Sequence, residues 1–442
     1  MDPVEGPAGK GLTAGGSVRQ ETGDRDMRFM HLADLHLGKI IYGTSLIDSG
    51  DQRVWAERFL EAARKEKPDA VVIAGDVYDR GTPPGKAAQL LSRLVTELAG
   101  MGIAVMITAG NHDSIQHLSF LSRLLAESRV FISRPPEAGG KLTRAVLEDE
   151  YGPVTFWLMP YLYPAMAAQA LGDDGIRDYD TAVRRIRAAQ DIDFSQRNVI
   201  VAHQNVTANG KEAERGGSES MVGGIGQVDY SAFDGFEYAA LGHIHSAYPA
   251  GRAEVRYAGS PLAYHFNETR QPEKGPLLVT LGAKGRQAGI ERLDIEPLHR
   301  MREIRGEYEA VRAEAVTNPW KNEYLKIVLT DRRISPEISD FLHEAARAHG
   351  STLMELTSEY RAFSAEAGTE GTGDMRGKPV EQLFAEFYTD RNGGIGPDDP
   401  DTELMAFVGG MTRRTAEKNE EPNEADFRKI LDFIAEQEAD NE

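Results

Sequence analysis

From Met27 onward the chain alternates short apolar runs with stretches of helical spacing, and that alternation predicts an α/β fold. Arg28 to Ala33, Ala70 to Ala74 and Ile103 to Thr108 read as strands. Between them Trp55, Phe59 and Ala63 recur at i, i+4, i+8, and Leu90, Leu91 and Leu94 follow a second helical spacing. Strands alternating with helices imply a parallel sheet with right-handed crossovers. Later apolar runs at Val154 to Met159, Val199 to Ala202, Tyr238 to Leu241, Val255 to Ala258 and Leu277 to Leu281 have shorter or Gly-rich connections and fewer helices. They predict a second sheet packed on the first, so residues 27–297 are expected to form a two-sheet sandwich flanked by helices.

Around Pro297 the pattern changes. Tyr324 to Leu329 reads as a strand, Pro336 to Ala348 as a helix capped by Ser335, and Thr352 to Leu356 as a strand. That is enough for a small α+β domain at 298–363, followed by a Gly-rich, charged linker at 364–378. Within 379–442 the sets Val380/Leu383/Phe384/Phe387, Leu404/Phe407/Val408/Met411 and Phe427/Ile430/Leu431/Ile434 all run i, i+3, i+4, i+7. These are amphipathic helices, more suited to docking than to forming one compact domain.

Composition narrows the picture. The 442 residues are 40% hydrophobic, enough for a sizeable core and at least two domains. Residues 1–26 are Gly-rich and charged with little to bury, so they are expected to be disordered; Met27 opens the first strand. No run approaches the roughly 18 apolar residues of a membrane span, and the first 26 residues lack a signal-peptide core, so a cytoplasmic location is expected. The absence of cysteine rules out disulfides, thiolate metal sites and cysteine nucleophiles. His, Asp, Glu and Asn remain as ligands, a set suited to manganese, magnesium, iron or zinc. The net charge of −20 argues against a nucleic-acid partner less than it first suggests, because residues 371–442 hold 18 Asp+Glu against 8 Lys+Arg. Steering follows the local field, and a mildly acidic remainder can carry a basic track.

The candidate chemistry lies at strand ends. The first strand runs into Asp34-Leu35-His36, whose i, i+2 spacing on an extended backbone would aim both side chains at one ion. The second ends in Gly75-Asp76-Val77-Tyr78-Asp79 and the third in Gly110-Asn111-His112-Asp113. The glycine in each would let the backbone turn sharply and approach an ion. His203 and Gly242-His243-Ile244-His245 add imidazoles at two further strand ends. Sites in open α/β sheets form at the carboxyl ends of strands, so these ends describe one pocket. Asp34, His36, Asp76, Asn111, His203, His243 and His245 are too many ligands for one ion and fit two, with Asp76 as the natural bridge. Such a metal pair activates water and clamps a phosphoryl group. His112 would be an eighth ligand and is assigned instead to the phosphate and the leaving oxygen. Asp79 or Asp113 could orient an imidazole from behind.

In this order the motifs resemble the calcineurin-like metallophosphoesterases. The surrounding text, HLADLHLGK, VVIAGDVYDRGTPP, ITAGNHD and YAALGHIH followed by YAGSPL, is similar to the SbcD branch, the bacterial nuclease subunits that work with an SMC-like coiled-coil ATPase, SbcC. The resemblance covers residues 27 to about 360 and includes Tyr324 to Asp331 of the capping domain. It implies one manganese on Asp34, His36, Asp76 and His245, a second on Asp76, Asn111, His203 and His243, and His112 as the catalytic histidine. Magnesium or another divalent ion could stand in. Some relatives carry His where this chain has Asp79, which leaves that residue's role open. The resemblance further implies degradation of duplex ends, nicking of single strands and hairpins in DNA repair and recombination, and a homodimer in a 2:2 complex with the ATPase. No Gly-x-x-x-x-Gly-Lys-Ser/Thr occurs, and Gly9-Lys10-Gly11 is no substitute, so ATP hydrolysis belongs to the partner.

Blander readings hold elsewhere. His31, His117, His265, His299, His343 and His349 match no motif and are read as structural, His31 with a parity that faces it away from the site. Gly216-Gly217 and Gly223-Gly224 mark either a lid or a plain connection. Arg80, Lys86, Arg215 and Arg270 are read as solvated surface. Two other functions fit the motifs: a phosphoesterase acting on a small nucleotide or phosphomonoester, and a DNA-end scaffold whose metal site organises the fold.

Overall fold

The computed structural model describes residues 26–208, 226–270 and 274–360. The leader up to residue 25, the glycine pairs at 216–224, Arg215, the linker at 364–378 and the helices within 379–442 lie outside them, as does the Arg270 side chain.

Strands β1 (Met27–Leu32), β2 (Ala70–Ala74), β3 (Ala104–Thr108) and β4 (Val130–Ile132) pair in parallel, with helices α1 (Asp51–Glu66) and α2 (Gly85–Gly100) as crossovers. The chain then builds a second sheet from β5 (Thr143–Asp149), β6 (Gly152–Met159), β7 (Arg197–His203), β8 (Tyr238–Gly242) and β9 (Val255–Tyr257), with α3 (Pro164–Leu171) and α4 (Tyr179–Ala188) on its outer side. It returns through β10 (Leu277–Leu281) and β11 (Gly289–Arg292), giving the first sheet the order β11-β10-β1-β2-β3-β4. The expected second-sheet membership of Leu277 to Leu281 is therefore corrected: β10 pairs antiparallel with β1, Val279 opposite Phe29. Its unbroken apolar run shows burial on both faces, and that alone does not choose between two sheets.

Alternation along each strand explains the layers. Val71, Ile73, Val105 and Ile107 pack under Trp55, Phe59, Leu90 and Leu94 of the helices. The intervening Val72, Ala74 and Met106 face Phe156, Leu158, Val199 and Tyr238 of the other sheet. Phe29 joins the sheets edge-on, its ring 5.4 Å from Phe156 and 5.6 Å from Tyr238. His31 points the same way, its Nδ1 3.0 Å from the Tyr238 hydroxyl, and burial pushes its pKa down to about 3. It is a neutral core residue. Sequence pattern missed β5, because its half-exposed TRAVLED string resembles a surface segment.

The segment expected to form a small capping domain folds as a parallel sheet of β12 (Arg300–Gly306), β13 (Glu323–Leu329) and β14 (Thr352–Ser358) carrying α5 (Tyr308–Thr317) and α6 (Pro336–Arg347). Its apolar core gathers Trp320, Leu325, Ile327, Leu329 and Leu342. Asp51, buried at the start of α1, fastens it to the sandwich. Its carboxylate accepts from the Tyr324 hydroxyl at 2.6 Å, from Ser49 Oγ at 2.6 Å, and from the backbone and ring nitrogens of His299 at 3.2 and 3.1 Å. Burial pushes this carboxyl up, but the hydrogen bonds from His299, Ser49 and Tyr324 outweigh it and leave the pKa lowered. A depressed folded pKa stabilises above the ordinary carboxyl value of about 3.9, and the stabilisation is lost as pH falls through the folded value.

Asp51→Ala should cost roughly 2–4 kcal/mol, because it strands buried donors. In a urea titration the capping domain should come apart at lower denaturant than the sandwich. A transition coincident with the parent's would contradict this anchoring role.

Candidate metal centre

The strand ends deliver their side chains through an unusual backbone. β1 stops at Leu32, and Asp34 and His36 follow with φ of 53° and 40°. The extended i, i+2 geometry expected for this pair is thus corrected: two left-handed residues present it. Asp76 at 46° and His243 at 104° also have positive φ. Non-glycine residues in such conformations cost of order 1–3 kcal/mol each and persist where their surroundings over-determine them. Here the parallel ladder continues beyond the strands. The amides of Asp34, His36 and Leu37 donate to the carbonyls of Gly75, Asp76 and Val77 at 3.1, 2.9 and 2.9 Å. The Tyr264 hydroxyl lies 2.9 Å from the carbonyls of both Asp34 and Leu35. Gly75 has the positive φ expected of a sharp turn, at 83°, but Gly110 is needed for space, since a Cβ there would land on the Asp76 carboxylate.

All seven expected ligands come together. Ligand atoms of Asp34, His36 and His245 lie within 4.8 Å of one another, as do those of Asp34, Asp76 and His203. Asp76 Oδ2 stands between the halves, 3.6 Å from His36 Nε2 and 3.3 Å from His203 Nε2. Asn111 Oδ1 lies 3.1 Å from His203 Nε2 and 3.0 Å from His243 Nδ1. His112 sits at the exposed rim, its ring 4.8 Å from that of His36 and its Nδ1 donating to the Asp79 carbonyl at 3.0 Å.

Hydrogen-bond logic says what this arrangement suits. His203 Nδ1 donates to the Ala74 carbonyl at 2.8 Å, so in the neutral ring Nε2 is a lone pair facing two oxygen acceptors. His36 and His245 likewise oppose Nε2 to Nε2 at 3.2 Å. Without a cation, protons must take its place. Burial lowers the His203 pKa, but Asp76 and Asp34 outweigh it and hold it up at about 9. Burial pushes Asp34 up to about 7 against the pull of His203 and His245, and pushes His36 down to about 4. Asp76 stays well below the usual carboxylate range: burial raises it, and His203, His36 and His112 more than compensate. A buried, sulfur-free set of lone pairs aimed at common points fits divalent cations.

Outer partners hold the imidazoles. Asp79 Oδ1 lies 3.5 Å from His36 Nδ1 and 2.8 Å from Lys39 Nζ. Of the two candidates for orienting an imidazole, Asp79 lies beside His36, and Asp113 accepts from the amides of Val77, Tyr78 and Gly110 at 3.1, 2.9 and 2.9 Å. Its carboxylate ties the second loop to the third because those amides have no strand partner there. Sequence reasoning missed Glu268 and Lys274. Glu268 Oε1 lies 3.3 Å from His245 Nδ1, which fixes the tautomer that leaves Nε2 toward the centre. Lys274 Nζ lies 2.6 Å from Glu268 Oε2 and donates to Ser260 Oγ at 2.7 Å and the His245 carbonyl at 2.9 Å. Burial raises Glu268, and Lys274 with His245 brings it down to about 2. The signal available was a Glu and a Lys in a stretch with aromatic neighbours, which is too common to single out.

The profile for Calcineurin-like phosphoesterase matches residues 27–247, and that for the Type 5 capsule protein repressor C-terminal domain matches residues 297–392. The chain is 30% identical over 376 residues to the SbcD subunit of the SbcCD nuclease of Staphylococcus saprophyticus subsp. saprophyticus, covering 83% of this chain and 94% of that protein. The chain belongs to the SbcD family of calcineurin-like phosphoesterases. As a member it is a metal-dependent phosphoesterase, and its α/β sandwich is the fold that family implies. Two solved structures overlap only loosely. One, 11% identical, covers 61% of this chain and 100% of its own with a TM-score of 0.32. The other, the psychrophilic β-glucosidase BglU of Micrococcus antarcticus, is 12% identical over 74% of this chain and 83% of its own, with a TM-score of 0.20. No helix among the described residues is long and apolar enough to cross a membrane.

Replacing Glu268 by Gln should weaken divalent-metal binding about 10- to 100-fold, the usual effect of losing a partner behind a ligating histidine. Calorimetric titration of the metal-free chain reads this directly, and an unaltered affinity would show that Glu268 does not orient His245.

Proposed function

We propose that this chain is the nuclease component of an SbcCD-type complex, hydrolysing DNA phosphodiesters at a two-manganese centre. The observation that carries the reading is the convergence of opposed lone pairs on both sides of Asp76, in a chain that spans nearly the whole of a curated SbcD relative. Asp34, His36 and His245 would hold one ion, Asn111, His203 and His243 the other, and Asp76 both. Divalent cations there supply Lewis acidity for the phosphoryl oxygens and lower the pKa of the attacking water. The protein's own part is to hold the ligating atoms on a fixed backbone and to manage protons. With Nδ1 committed to the Asp79 carbonyl, His112 offers Nε2 at the rim to a phosphoryl oxygen or the leaving group. Action on duplex ends, single strands and hairpins is proposed from the family resemblance.

Partners follow the same reading. Exposed Phe120, Leu121 and Leu124, 72%, 53% and 60% accessible, lie just beyond His112 in sequence and support a homodimer within a 2:2 complex. The amphipathic segments within 379–442 are proposed to dock on an SbcC-like coiled-coil ATPase. The small-nucleotide alternative is less well supported, because the chain spans 94% of a curated relative that is a nuclease subunit.

Purified full chain with manganese should cut duplex and hairpin DNA, and His112→Asn should lower kcat about 10²- to 10⁴-fold. DNA affinity should fall linearly with log salt, with a slope of roughly −0.9 per neutralised phosphate. A salt-independent affinity, together with activity confined to a chromogenic phosphodiester, would favour the small-substrate alternative.

A further inference from the structure

A cluster of three tyrosines reaches the Asn111, His203 and His243 half of the centre through Tyr161, and the chemistry described above does not use it. They arise where β6 ends. Met159-Pro160-Tyr161-Leu162-Tyr163-Pro164 leads from β6 into α3, so Tyr161 and Tyr163 leave the same edge of the sandwich as His203 on the neighbouring β7. The Tyr161 amide donates to the Ala109 carbonyl at 2.8 Å, which ties this segment to the loop bearing Asn111. The Tyr161 ring lies 6.0 Å from the ring of His243 and 6.2 Å from that of His203. Tyr163 packs edge-on to it at 4.9 Å, and Tyr179, the first residue of α4, at 5.9 Å. The rings form a graded series outward from the metal ligands, with Tyr161 8% and Tyr163 46% accessible.

We propose that Tyr161, Tyr163 and Tyr179 form a stacking platform on which Tyr163 receives an unpaired nucleobase next to the scissile phosphate. The proposal rests on the nuclease reading. A phosphodiester seated at Asn111, His203 and His243 carries a nucleoside on each side, and the tyrosine cluster is the aromatic surface that adjoins those ligands. Every base has a π-face, so stacking holds a strand without reading its sequence, as a nuclease of general specificity requires. The edge-on contact with Tyr161 and the tilted contact with Tyr179, its ring 6.5 Å away, hold the Tyr163 ring in place, so little side-chain freedom is lost on binding. A terminal or looped-out base fits this position better than one inside a duplex, because stacking on its neighbours conceals both faces of an interior base.

The test uses the full chain with manganese and single-stranded oligodeoxynucleotides that are either intact or abasic at the nucleotide beside the cleaved bond. On intact DNA, Tyr163→Ala should raise KM about 10-fold, with a smaller change in kcat, and Tyr163→Phe should restore most of the loss. The parent enzyme should show a similar KM penalty on abasic DNA, where Tyr163→Ala should add little. A parent enzyme indifferent to the missing base would overturn the platform without needing any variant. So would a Tyr163→Ala loss of equal size on both substrates. If the parent cuts a chromogenic phosphodiester but no oligonucleotide, the nuclease reading itself fails, and the platform with it.

Discussion

The structure depends on holding acceptor atoms against one another. Around Asp76, lone pairs of His36, His203 and His245 and the carbonyl of Asn111 face each other at 3.1–3.6 Å, where each would normally seek a donor. Such an arrangement collapses or gains protons unless a cation sits among the atoms and the backbone refuses to move. The refusal is built from strands β1, β2 and β3, buried on both faces. Beyond their ends it comes from the continued ladder of amides, the Asp113 clamp and the Tyr264 hydroxyl under the first loop. Four left-handed non-glycine residues at the site record the strain, which two large apolar layers above and below the first sheet offset.

The same constraint explains the outer residues. A ligating imidazole must give one nitrogen to the centre, so the other must be a fixed donor. His203 gives that proton to a backbone carbonyl, while carboxylates flank His36 and His245, each carboxylate paired with a lysine. Lys274 also holds the carbonyl of His245 itself, so one ammonium secures both ends of that ligand. Tyr264 lies between the two systems, its ring 5.5 Å from His36 and 5.3 Å from His245.

The grouping of the candidate ligands was legible in the sequence because metal chemistry leaves few substitutes, and five strand ends carrying His, Asp and Asn in fixed order are hard to produce by chance. The layered α/β architecture was legible because strands buried on both faces read as unbroken apolar runs between helical stretches. Less was legible where the answer depends on a spatial neighbour. Leu277 to Leu281 announced a buried strand but not its partner β1, and Asp113 announced a carboxylate but not the three amides it would meet. Asp34 and His36 suggested extended spacing, whereas the ladder to Gly75 and Asp76 bends them into left-handed conformations. Glu268 and Lys274 carry no local pattern, because their roles exist only once the connection after β9 folds back beneath His245.

The most direct test of this account is the manganese stoichiometry of the full chain, measured by equilibrium titration of the metal-free protein, beside the same titration of Asp76→Asn. The account predicts two ions per chain for the parent and, for the variant, weakened binding of both, since Asp76 stands between the two halves of the centre. A parent that saturates with one ion, or a variant that still takes up two with unaltered affinity, would contradict it.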